Sequence, residues 1–293
     1  MKALIEQLLA VSPIITDGAW GTQLQALGLP IGECPDAWNI NNPSCVEDVA
    51  RSYVEAGSRI ILTNTFSANR ITLTRYNLAD RANEISRTGA AISRHAAGDR
   101  AYVFASMGPT GKMLAMSEVS EQEVHAAFQE QAHALAEGGA DALVIETMSD
   151  LKEAEIALAA ARETGLPVVV SMVYGAGQAG DRTIMGVTPE QAVETLTAAG
   201  ADVIGSNCGE GPAGFVTICK RMRAVTDLPI WVKPNAGRPE LVAGSADFIY
   251  RTTPEGFAAY APALIEGGAN FIGGCCGTSP AFVRALSAAI KGA

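Results

Sequence analysis

The sequence predicts an α/β fold, a single (β/α)8 TIM barrel that takes up residues 1–293 as one domain. Eight short runs of apolar and β-branched residues recur along the chain, and Ala-, Glu- and Leu-rich stretches with helical spacing separate them. The runs are almost continuously apolar, which is typical of parallel strands covered by helices. This regular alternation favours a parallel sheet closed into a barrel, with a doubly wound open sheet as the structural alternative.

The predicted elements follow one another along the whole chain. The first ten residues, MKALIEQLLA, are interpreted as a helix, because they carry Glu6 and lack the small-residue cleavage site of a signal peptide. The predicted strands are residues 14–17, 59–63, 102–107, 142–146, 168–172, 203–207, 230–233 and 271–274. The predicted helices between them are residues 45–57, 78–97, 120–138, 149–164, 188–199, 214–226 and 253–266.

Local signals support several of these helix boundaries. Ser120 and Glu123 have the spacing of a capping box. Pro189 follows Thr188 at the first position of another predicted helix, where its missing N–H costs nothing. Glycine follows the helices in EAGSRI, EGGADA, ETGLPV, AAGADV and EGGANF, as the left-handed position after a helix favours.

Four long loops lie on the carboxyl side of the predicted strands. They are residues 28–43, 108–118, 174–187 and 235–252. In a barrel of this kind the loops that follow the strands gather at one face, and binding and catalytic residues lie there. We therefore expect the functional site at the C-terminal face of the barrel.

Composition excludes several classes of function. The net charge of −10 and the absence of clustered Lys and Arg argue against a nucleic-acid partner. No apolar run approaches the ~20 residues that span a bilayer, so we expect no membrane association and a cytoplasmic location. The six cysteines do not resemble a secreted disulfide framework, because the chain is long and we expect no export signal.

The cysteines divide into two groups. Cys34, Cys45 and Cys219 stand alone, and Cys219 lies in an amphipathic stretch where we expect a small buried apolar side chain. Cys208, Cys275 and Cys276 lie in glycine-rich turns after the sixth and eighth predicted strands, in VIGSNCGEG and FIGGCCGTS. Since these strand ends meet near the barrel mouth, the three thiolates can converge on one metal ion.

Zinc is the metal that this ligand set favours. Soft thiolates select zinc over magnesium or manganese, and a catalytic zinc site takes three protein ligands and leaves a fourth position open. A vicinal cysteine pair with one distant cysteine is also compatible with buried packing or with a redox pair. It does not match the paired C-x2-C spacing of a structural zinc module.

Motifs along nearly the whole chain resemble one known family. They are TDGAWGTQL, EAGSRIILTNTFSAN, SMGPTGKM, ALVIETMSD, IGSNCGEGP, KPNAG and GGCCGTSPAFVRAL. The chain resembles the homocysteine-binding barrel of the homocysteine S-methyltransferase family. That family includes betaine–homocysteine methyltransferase, S-methylmethionine-dependent enzymes and the N-terminal module of cobalamin-dependent methionine synthase.

The resemblance implies a set of site residues. Cys208, Cys275 and Cys276 would bind Zn2+, with the homocysteine sulfur as the fourth ligand and methionine as the product. Asp17 and Gly18, together with Glu146, would hold the amino group of homocysteine. Asn235 and Asn207 would orient loops or ligands around this substrate, and Asn64 and Thr65 line the pocket or pack beside it.

The methyl donor is expected to be a small onium compound similar to betaine. Aromatic faces attract quaternary cations, at about 0.5–2 kcal/mol per ring. The residues expected to bind the donor are Trp20, Trp38 and Phe66, with Tyr174 nearby. Animal betaine enzymes have tyrosine in the place of Ser67, so their donor site is not copied directly. S-methylmethionine and a methylated corrinoid remain alternatives; the corrinoid would arrive on a separate protein, because we expect no cobalamin-binding domain in this sequence.

Two functions of other classes compete with methyl transfer. Lys233 ends the seventh predicted strand and would form a Schiff base in a metal-free barrel lyase if burial lowered its pKa. The GGCCGT turn would in that case serve as a phosphate loop. The other rival is a protein that binds zinc or thiols without catalysis.

Overall fold

The computed structural model describes residues 2–241 and 248–291. Within them the strands are β1 (Ile14–Ile15), β2 (Ile60–Ile61), β3 (Tyr102–Met107), β4 (Ala142–Met148), β5 (Val168–Met172), β6 (Val203–Cys208), β7 (Ile230–Pro234), β8 (Glu240–Leu241), β9 (Phe248–Ile249) and β10 (Ala269–Ile272). The α-helices are α1 (Ala3–Leu9), α2 (Gly21–Ala26), α3 (Trp38–Asn41), α4 (Pro43–Ala56), α5 (Arg70–Leu73), α6 (Ala82–Ala97), α7 (Glu121–Glu137), α8 (Leu151–Arg162), α9 (Pro189–Ala199), α10 (Pro212–Arg223), α11 (Pro254–Ala258), α12 (Ala261–Glu266) and α13 (Pro280–Lys291). Short 3-10 helices occupy Pro35–Ala37, Thr74–Tyr76, Ala79–Arg81 and Leu114–Met116.

Eight of the strands form one parallel sheet in the order β1-β10-β7-β6-β5-β4-β3-β2. The two end strands meet, because the Arg59 N–H donates to the Ile15 carbonyl at 2.8 Å. The Ser58 hydroxyl adds a bond to the Thr16 carbonyl at 3.2 Å. The sheet is therefore a (β/α)8 TIM barrel, as the sequence predicted.

The core has an inner and an outer layer. Inside the barrel, the Trp231 ring stacks on Phe104 at 6.0 Å between centroids and lies 5.7 Å from Phe271. Outside it, the helices pack their apolar faces on the strands, as Phe128 of α7 and Leu158 of α8 do. Both layers are needed, because parallel strands of a barrel are buried on two faces.

The predicted helix boundaries hold where capping signals are present. Ser120 and Glu123 form a reciprocal capping box at the start of α7, and Thr188 and Gln191 form another at the start of α9. The helix predicted for residues 253–266 is two helices, α11 and α12. The break falls just before Pro262, which has no N–H to continue a helical ladder.

Three of the predicted loops contain regular structure, which in residues 108–118 is the 3-10 helix Leu114–Met116. Residues 28–43 include the 3-10 helix Pro35–Ala37 and α3. In the segment 235–252, β8 and β9 pair antiparallel, and residues 242–247 of that segment lie outside the described residues. In the described part of the chain, no helix has the length and apolar character needed to cross a membrane.

Candidate active site at the barrel mouth

A cavity of about 320 Å3 opens at the carboxyl ends of the barrel strands. Its wall brings together segments far apart in the chain, including Gly18, Trp20 and Phe66 from the first two loops and Glu146 at the end of β4. All three cysteines singled out in the sequence also line it. The C-terminal face therefore holds the candidate site, at the position expected for this fold.

The sulfur atoms of Cys208, Cys275 and Cys276 form a tight cluster. The Cys208 and Cys276 Sγ atoms are 3.9 Å apart, and those of Cys275 and Cys276 are 4.0 Å apart. All three lie within 4.8 Å of one another. Thiolates bound tetrahedrally at about 2.3 Å from zinc are separated by ~3.8 Å, so this spacing fits three ligands of one zinc ion.

The backbone at Cys208 is unusual. Its φ is 62°, a left-handed conformation that a residue with a side chain rarely adopts. The next residue, Gly209, also has positive φ, and a Cβ there would lie 2.1 Å from the Tyr174 carbonyl oxygen. The turn that presents Cys208 to the cavity therefore requires glycine after the cysteine.

The Cys275–Cys276 turn is anchored to the neighbouring strands. The Cys275 N–H donates to the Pro234 carbonyl at 2.7 Å, and the Cys276 carbonyl accepts from the Ala236 N–H at 2.9 Å. The Thr278 hydroxyl donates to the Cys275 carbonyl at 2.7 Å. These bonds fix the positions of two adjacent sulfurs before any ligand binds.

The electrostatics of the three thiols also fit a cation. The pKa of Cys208 is lowered, because the thiols of Cys275 and Cys276 donate hydrogen bonds to its sulfur. The pKa values of Cys275 and Cys276 are raised in turn, mainly by their interaction with Cys208 and by burial. When no cation is bound, these shifts favour a single thiolate among the three cysteines. Ionisation of all three thiols therefore requires a bound positive charge.

Glu146 is the buried carboxylate on the β4 side of the cavity. Its Oε1 accepts from the Ser106 hydroxyl at 2.5 Å, and the side chain is 6% exposed. Burial raises its pKa to about 7, although the nearby Lys233 ammonium acts in the opposite direction. A cationic group on a bound ligand would therefore act in the same direction as Lys233 and stabilise the charged form of the Glu146 carboxylate.

Asp17 contacts three groups of the chain, on Lys233, Trp20 and Leu62. It is completely buried, and its Oδ1 is 2.5 Å from the Lys233 Nζ. Its Oδ2 accepts from the Trp20 indole N–H at 2.8 Å and from the Leu62 N–H at 2.7 Å. Both oxygens are thus engaged by the chain itself, and the observed contacts orient Lys233 and Trp20.

The Asp17–Lys233 ion pair also tests the alternative hypothesis, in which Lys233 forms a Schiff base in a metal-free lyase. The Lys233 side chain is 2% exposed and packs over the Trp231 ring with its nitrogen 5.8 Å from the ring centroid. An amine that forms a Schiff base must be free to attack a carbonyl carbon, whereas the Lys233 nitrogen is held by the Asp17 carboxylate at 2.5 Å. This geometry disfavours the lyase hypothesis.

Two asparagines predicted around the substrate connect parts of the site. The Asn207 side chain is fully buried and contacts Glu146 at 3.5 Å, the Cys275 sulfur at 3.8 Å and the Thr147 hydroxyl at 2.6 Å. Asn235 donates to the Gly209 carbonyl at 3.0 Å, next to Cys208, and is not one of the residues that line the cavity. Asn207 thereby links the carboxylate to the cysteine cluster.

The residues predicted to bind the donor are not all in the cavity. Trp20 and Phe66 line it, and the Phe66 side chain is 39% exposed. Trp38 is 8% exposed, packs in the apolar core and is not part of the cavity wall. Tyr174 is buried beside a separate small cavity behind the Cys208 turn. Of these four aromatic residues, Trp20 and Phe66 are the two that line the cavity.

Sequence reasoning missed one cavity residue with an ionisable side chain. Asp36 lies in the 3-10 helix Pro35–Ala37, is 2% exposed and lines the cavity. The only available signal was its position in a long loop of the C-terminal face. Nothing in PDAW reveals that this carboxylate is buried, because the group that hydrogen-bonds to it, the Ser67 N–H, lies 31 positions away in the chain.

Comparison with known proteins gives a family match over most of the chain. The family model described as homocysteine S-methyltransferase matches residues 14–290. The chain is 33% identical over 296 residues to a methionine synthase of Mycobacterium tuberculosis and 32% identical over 303 residues to one of Mycobacterium leprae. These alignments cover 94% and 97% of this chain but 24% and 25% of those proteins. The chain thus spans about a quarter of the length of the curated relatives it matches.

Solved structures show the same fold. The homocysteine methyltransferase MmuM from Escherichia coli, in its metallated form, matches with a TM-score of 0.81 and 24% identity, over 97% of this chain and 99% of that one. The carboxyl transferase domain of Rhizobium etli pyruvate carboxylase matches with a TM-score of 0.56 and 15% identity, over 98% and 48% of the two chains. At these identities the likenesses establish the barrel fold alone.

Proposed function

The chain belongs to the homocysteine S-methyltransferase family, and we propose that it transfers a methyl group from a small onium donor to the sulfur of homocysteine, giving methionine. The observation that carries the proposal is the cluster of Cys208, Cys275 and Cys276 sulfurs inside a cavity that also contains buried carboxylates. Thiolates suit a thiophilic metal, and carboxylates suit the ammonium group of an amino acid or the cation of a donor.

The three cysteines are proposed to hold Zn2+. When bound, zinc would lower the pKa of the substrate thiol and keep its sulfur as a nucleophilic thiolate. The chain contributes the spacing of the sulfurs, the anchored Cys275–Cys276 turn and the strained Cys208 turn. These features preorganise the ligands and thereby reduce the cost of ordering them.

Glu146 is proposed to bind the ammonium group of homocysteine. Its Oε2 is linked through Asn207 to the Cys275 sulfur, so the carboxylate and the cysteine cluster keep a fixed relation. A substrate held at both its amino and sulfur ends has its thiol oriented for reaction. Gly18 lines the cavity beside this substrate, and packing requires glycine there, because a Cβ would lie 2.8 Å from the Thr278 and Tyr53 oxygens. Asp17 would act on this pocket by positioning Lys233.

The transfer is proposed to be a single displacement at the methyl carbon. A bond forms between the homocysteine sulfur and the methyl carbon, while the bond from that carbon to the positively charged nitrogen or sulfur of the donor breaks. The electron pair of the broken bond stays with the leaving group, which departs as a neutral amine or sulfide. Trp20 and Phe66 would face the donor's cation before transfer and lose that attraction afterwards.

A product assay with homocysteine and a panel of donors tests the proposal. Betaine, dimethylsulfoniopropionate, S-methylmethionine and methylcobalamin are supplied separately, and methionine is quantified. We expect turnover with at least one small onium compound. Methionine formation from a methylated corrinoid alone would overturn the onium donor but leave the homocysteine methyltransferase assignment intact.

Metal content tests the zinc centre independently. Elemental analysis of the purified chain is expected to give one zinc per chain. Cys208→Ala should lose most of it, because two thiolates bind zinc far more weakly than three. The matched control is Cys219→Ala, whose thiol is fully buried against the Leu264 carbonyl in the outer core and should leave zinc unchanged. Full zinc occupancy in Cys208→Ala would remove this cysteine from the centre.

A methylated corrinoid protein is the second candidate donor. The matched relatives named methionine synthase are about four times as long as the aligned barrel, so in them other parts of the protein accompany it. The mouth of this barrel also carries exposed apolar side chains, Met113 and Met116 after β3 and Ile184 and Met185 after β5. Such side chains are compatible with a larger partner at the mouth.

A further inference from the structure

Asp36 is a buried carboxylate on the wall of the active-site cavity. The 3-10 helix Pro35–Ala37 carries it, and its side chain is 2% exposed. Its Oδ1 accepts from the Ser67 N–H at 2.9 Å, and its Oδ2 lies 3.8 Å from the Cys34 sulfur. A buried carboxylate with one backbone hydrogen bond and a weak thiol donor is poorly compensated.

In the described part of the chain, no basic side chain pairs with the Asp36 carboxylate. Among residues 2–241 and 248–291, the ion pairs within 4.0 Å include Asp17 with Lys233 but no pair that involves Asp36. Burial raises the pKa of Asp36 to about 7, and the Ser67 N–H is the main group that opposes this shift. Most buried charges are paired, so an unpaired one that faces a ligand cavity has the properties of a binding group.

The surroundings of Asp36 fit an organic cation. Phe66 precedes Ser67, the residue that hydrogen-bonds to the carboxylate, and its ring lines the cavity against Gly108. The Trp20 indole lines the cavity as well, and its N–H is fixed by Asp17. Two aromatic surfaces with one carboxylate can attract an alkylated onium group, which offers few hydrogen-bond donors but carries a full positive charge.

The other two carboxylates at the mouth, Asp17 and Glu146, already have partners within the chain. Lys233 neutralises Asp17, and Glu146 is linked to the cysteine cluster through Asn207. Two cationic groups must enter this cavity if the proposed reaction is correct, the ammonium of homocysteine and the onium centre of the donor. Glu146 is the carboxylate linked to the cysteines proposed to hold zinc and the homocysteine sulfur, which leaves Asp36 for the donor.

We propose that Asp36, together with Trp20 and Phe66, forms the subsite for the positively charged end of the methyl donor and selects cationic donors over neutral ones. This inference rests on the proposed onium donor and adds the residue that recognises it. The subsite is built by the loop after β1 and the loop after β2, joined by the bond from Ser67 to Asp36.

The substitution Asp36→Asn removes the negative charge but keeps an acceptor for the hydrogen bond from the Ser67 N–H. The asparagine Oδ1 can still accept from the Ser67 N–H, so a role limited to holding the two loops together survives the substitution. Binding is measured on the full zinc-loaded chain with two probes of similar size, the tetramethylammonium ion and uncharged tert-butanol. We expect the variant to bind tetramethylammonium about tenfold more weakly and tert-butanol as the wild type does. Equal binding of tetramethylammonium by variant and wild type would overturn the subsite, as would a wild type that does not prefer the cation.

Kinetics separate this proposal from the assignment of the donor. With the best onium donor of the panel, Asp36→Asn should raise the donor KM about tenfold and leave the homocysteine KM within about twofold. The matched control is Asp202→Asn at the opposite end of the barrel, where the carboxylate also accepts one backbone N–H, that of Val168 at 3.0 Å. Unchanged onium turnover in Asp36→Asn would refute the role of Asp36 alone. A wild type without onium turnover would refute the donor itself.

Discussion

Three buried carboxylates at the barrel mouth differ in the groups that contact them. Asp17, Glu146 and Asp36 are all carboxylates with at most 6% exposure, yet their environments differ. Asp17 is paired with Lys233, Glu146 accepts from Ser106, and Asp36 has no cationic partner in the described residues. The partner of each carboxylate, more than its residue type, therefore determines which ligand it can receive.

Glu146→Gln should weaken homocysteine binding without removing zinc. The amide keeps an oxygen for the Ser106 hydroxyl but no longer attracts an ammonium group. We expect roughly a ten- to hundredfold loss of homocysteine affinity, because a hydrogen bond to a charged group contributes about that much to binding. Calorimetry and elemental analysis check both parts.

Glu153→Gln is the matched control for that experiment. Glu153 is also buried, but it accepts from the N–H and hydroxyl of Thr110 and does not line the cavity. This variant should bind homocysteine normally. Unchanged homocysteine affinity in Glu146→Gln would remove the ammonium-binding role from that residue.

Asp36→Asn should increase stability at alkaline pH while it weakens donor binding. The pKa of Asp36 is raised from 3.8 to about 7 in the folded chain, so the folded state binds more protons than the unfolded state between these values. The stability contribution of protonated Asp36 is therefore lost as pH rises from about 4 to about 7. The Cys34 thiol beside it stays protonated throughout, because its own pKa is raised to about 12 by burial.

Denaturant unfolding at two pH values checks this prediction. At pH 8 the variant should exceed the wild type in free energy of unfolding by on the order of 1–4 kcal/mol, since a buried uncompensated charge has been removed. At pH 4 the two should be nearly equal. A variant less stable than the wild type at pH 8 would mean that the charge of Asp36 is compensated within the chain.

At the scale of elements, the turns after β6 and β10 form the cysteine cluster. The turn after β6 places Cys208 and Gly209 in consecutive left-handed conformations, with φ values of 62° and 68°. Only the second of these positions is a glycine, because the Tyr174 carbonyl occupies the space of a Cβ there. The strained cysteine is retained at a position where its sulfur reaches the other two.

Gly209→Ala should disrupt the cluster. The added Cβ would lie 2.1 Å from the Tyr174 carbonyl oxygen, so the turn must shift and move Cys208 away from Cys276. We expect a large loss of zinc affinity and a loss of stability above the ~1 kcal/mol that a left-handed alanine costs by itself. Thermal unfolding and zinc titration measure the two effects.

Gly165→Ala separates the clash from the backbone strain. Gly165 also has a positive φ, 75°, but a Cβ there meets nothing within 4 Å, and it lies between α8 and β5 away from the cavity. Its substitution should cost only the conformational strain and leave zinc binding intact. Equal effects of the two substitutions would show that the contact with Tyr174 does not hold the Cys208 turn.

The elements themselves were predictable because their signals are local. Continuous apolar runs marked the eight barrel strands, and the capping residues Ser120 and Thr188 marked two helix starts. The break at Pro262 and the β8–β9 pairing were missed. A proline near the middle of a helical pattern signals such a break, whereas β8 and β9 have two residues each, too few for a periodic signal.

At the scale of the whole molecule, barrel closure creates contacts that sequence patterns do not contain. Asp17 and Lys233 are 216 positions apart, and they meet only because β1 follows β10 and β7 in the sheet. The three cysteines could be brought together by counting strands, since each follows a strand end. The Asp36 carboxylate could not be placed, because its burial depends on how the loops after β1 and β2 pack on each other.

The floor of the site depends on the aromatic layer inside the barrel. Trp231 of β7 is completely buried between Phe104 of β3 and Phe271 of β10, and the Lys233 nitrogen lies over its ring. The layer thereby supports the Asp17–Lys233 pair from below. Its loss would affect both the stability of the barrel and the orientation of Trp20, which Asp17 holds.

Trp231→Ala should destabilise the whole barrel. Truncation of a buried tryptophan to alanine costs about 3–5 kcal/mol, from lost apolar burial and from the cavity left behind. Trp231→Phe retains most of the stacking with Phe104 and should lose less, and Phe248→Ala, at an exposed side chain of β9, should change stability by under about 0.5 kcal/mol. Chemical denaturation measures all three variants. If Trp231→Ala unfolds like Phe248→Ala, the barrel interior does not depend on this ring, and the support of Lys233 must come from Asp17 alone.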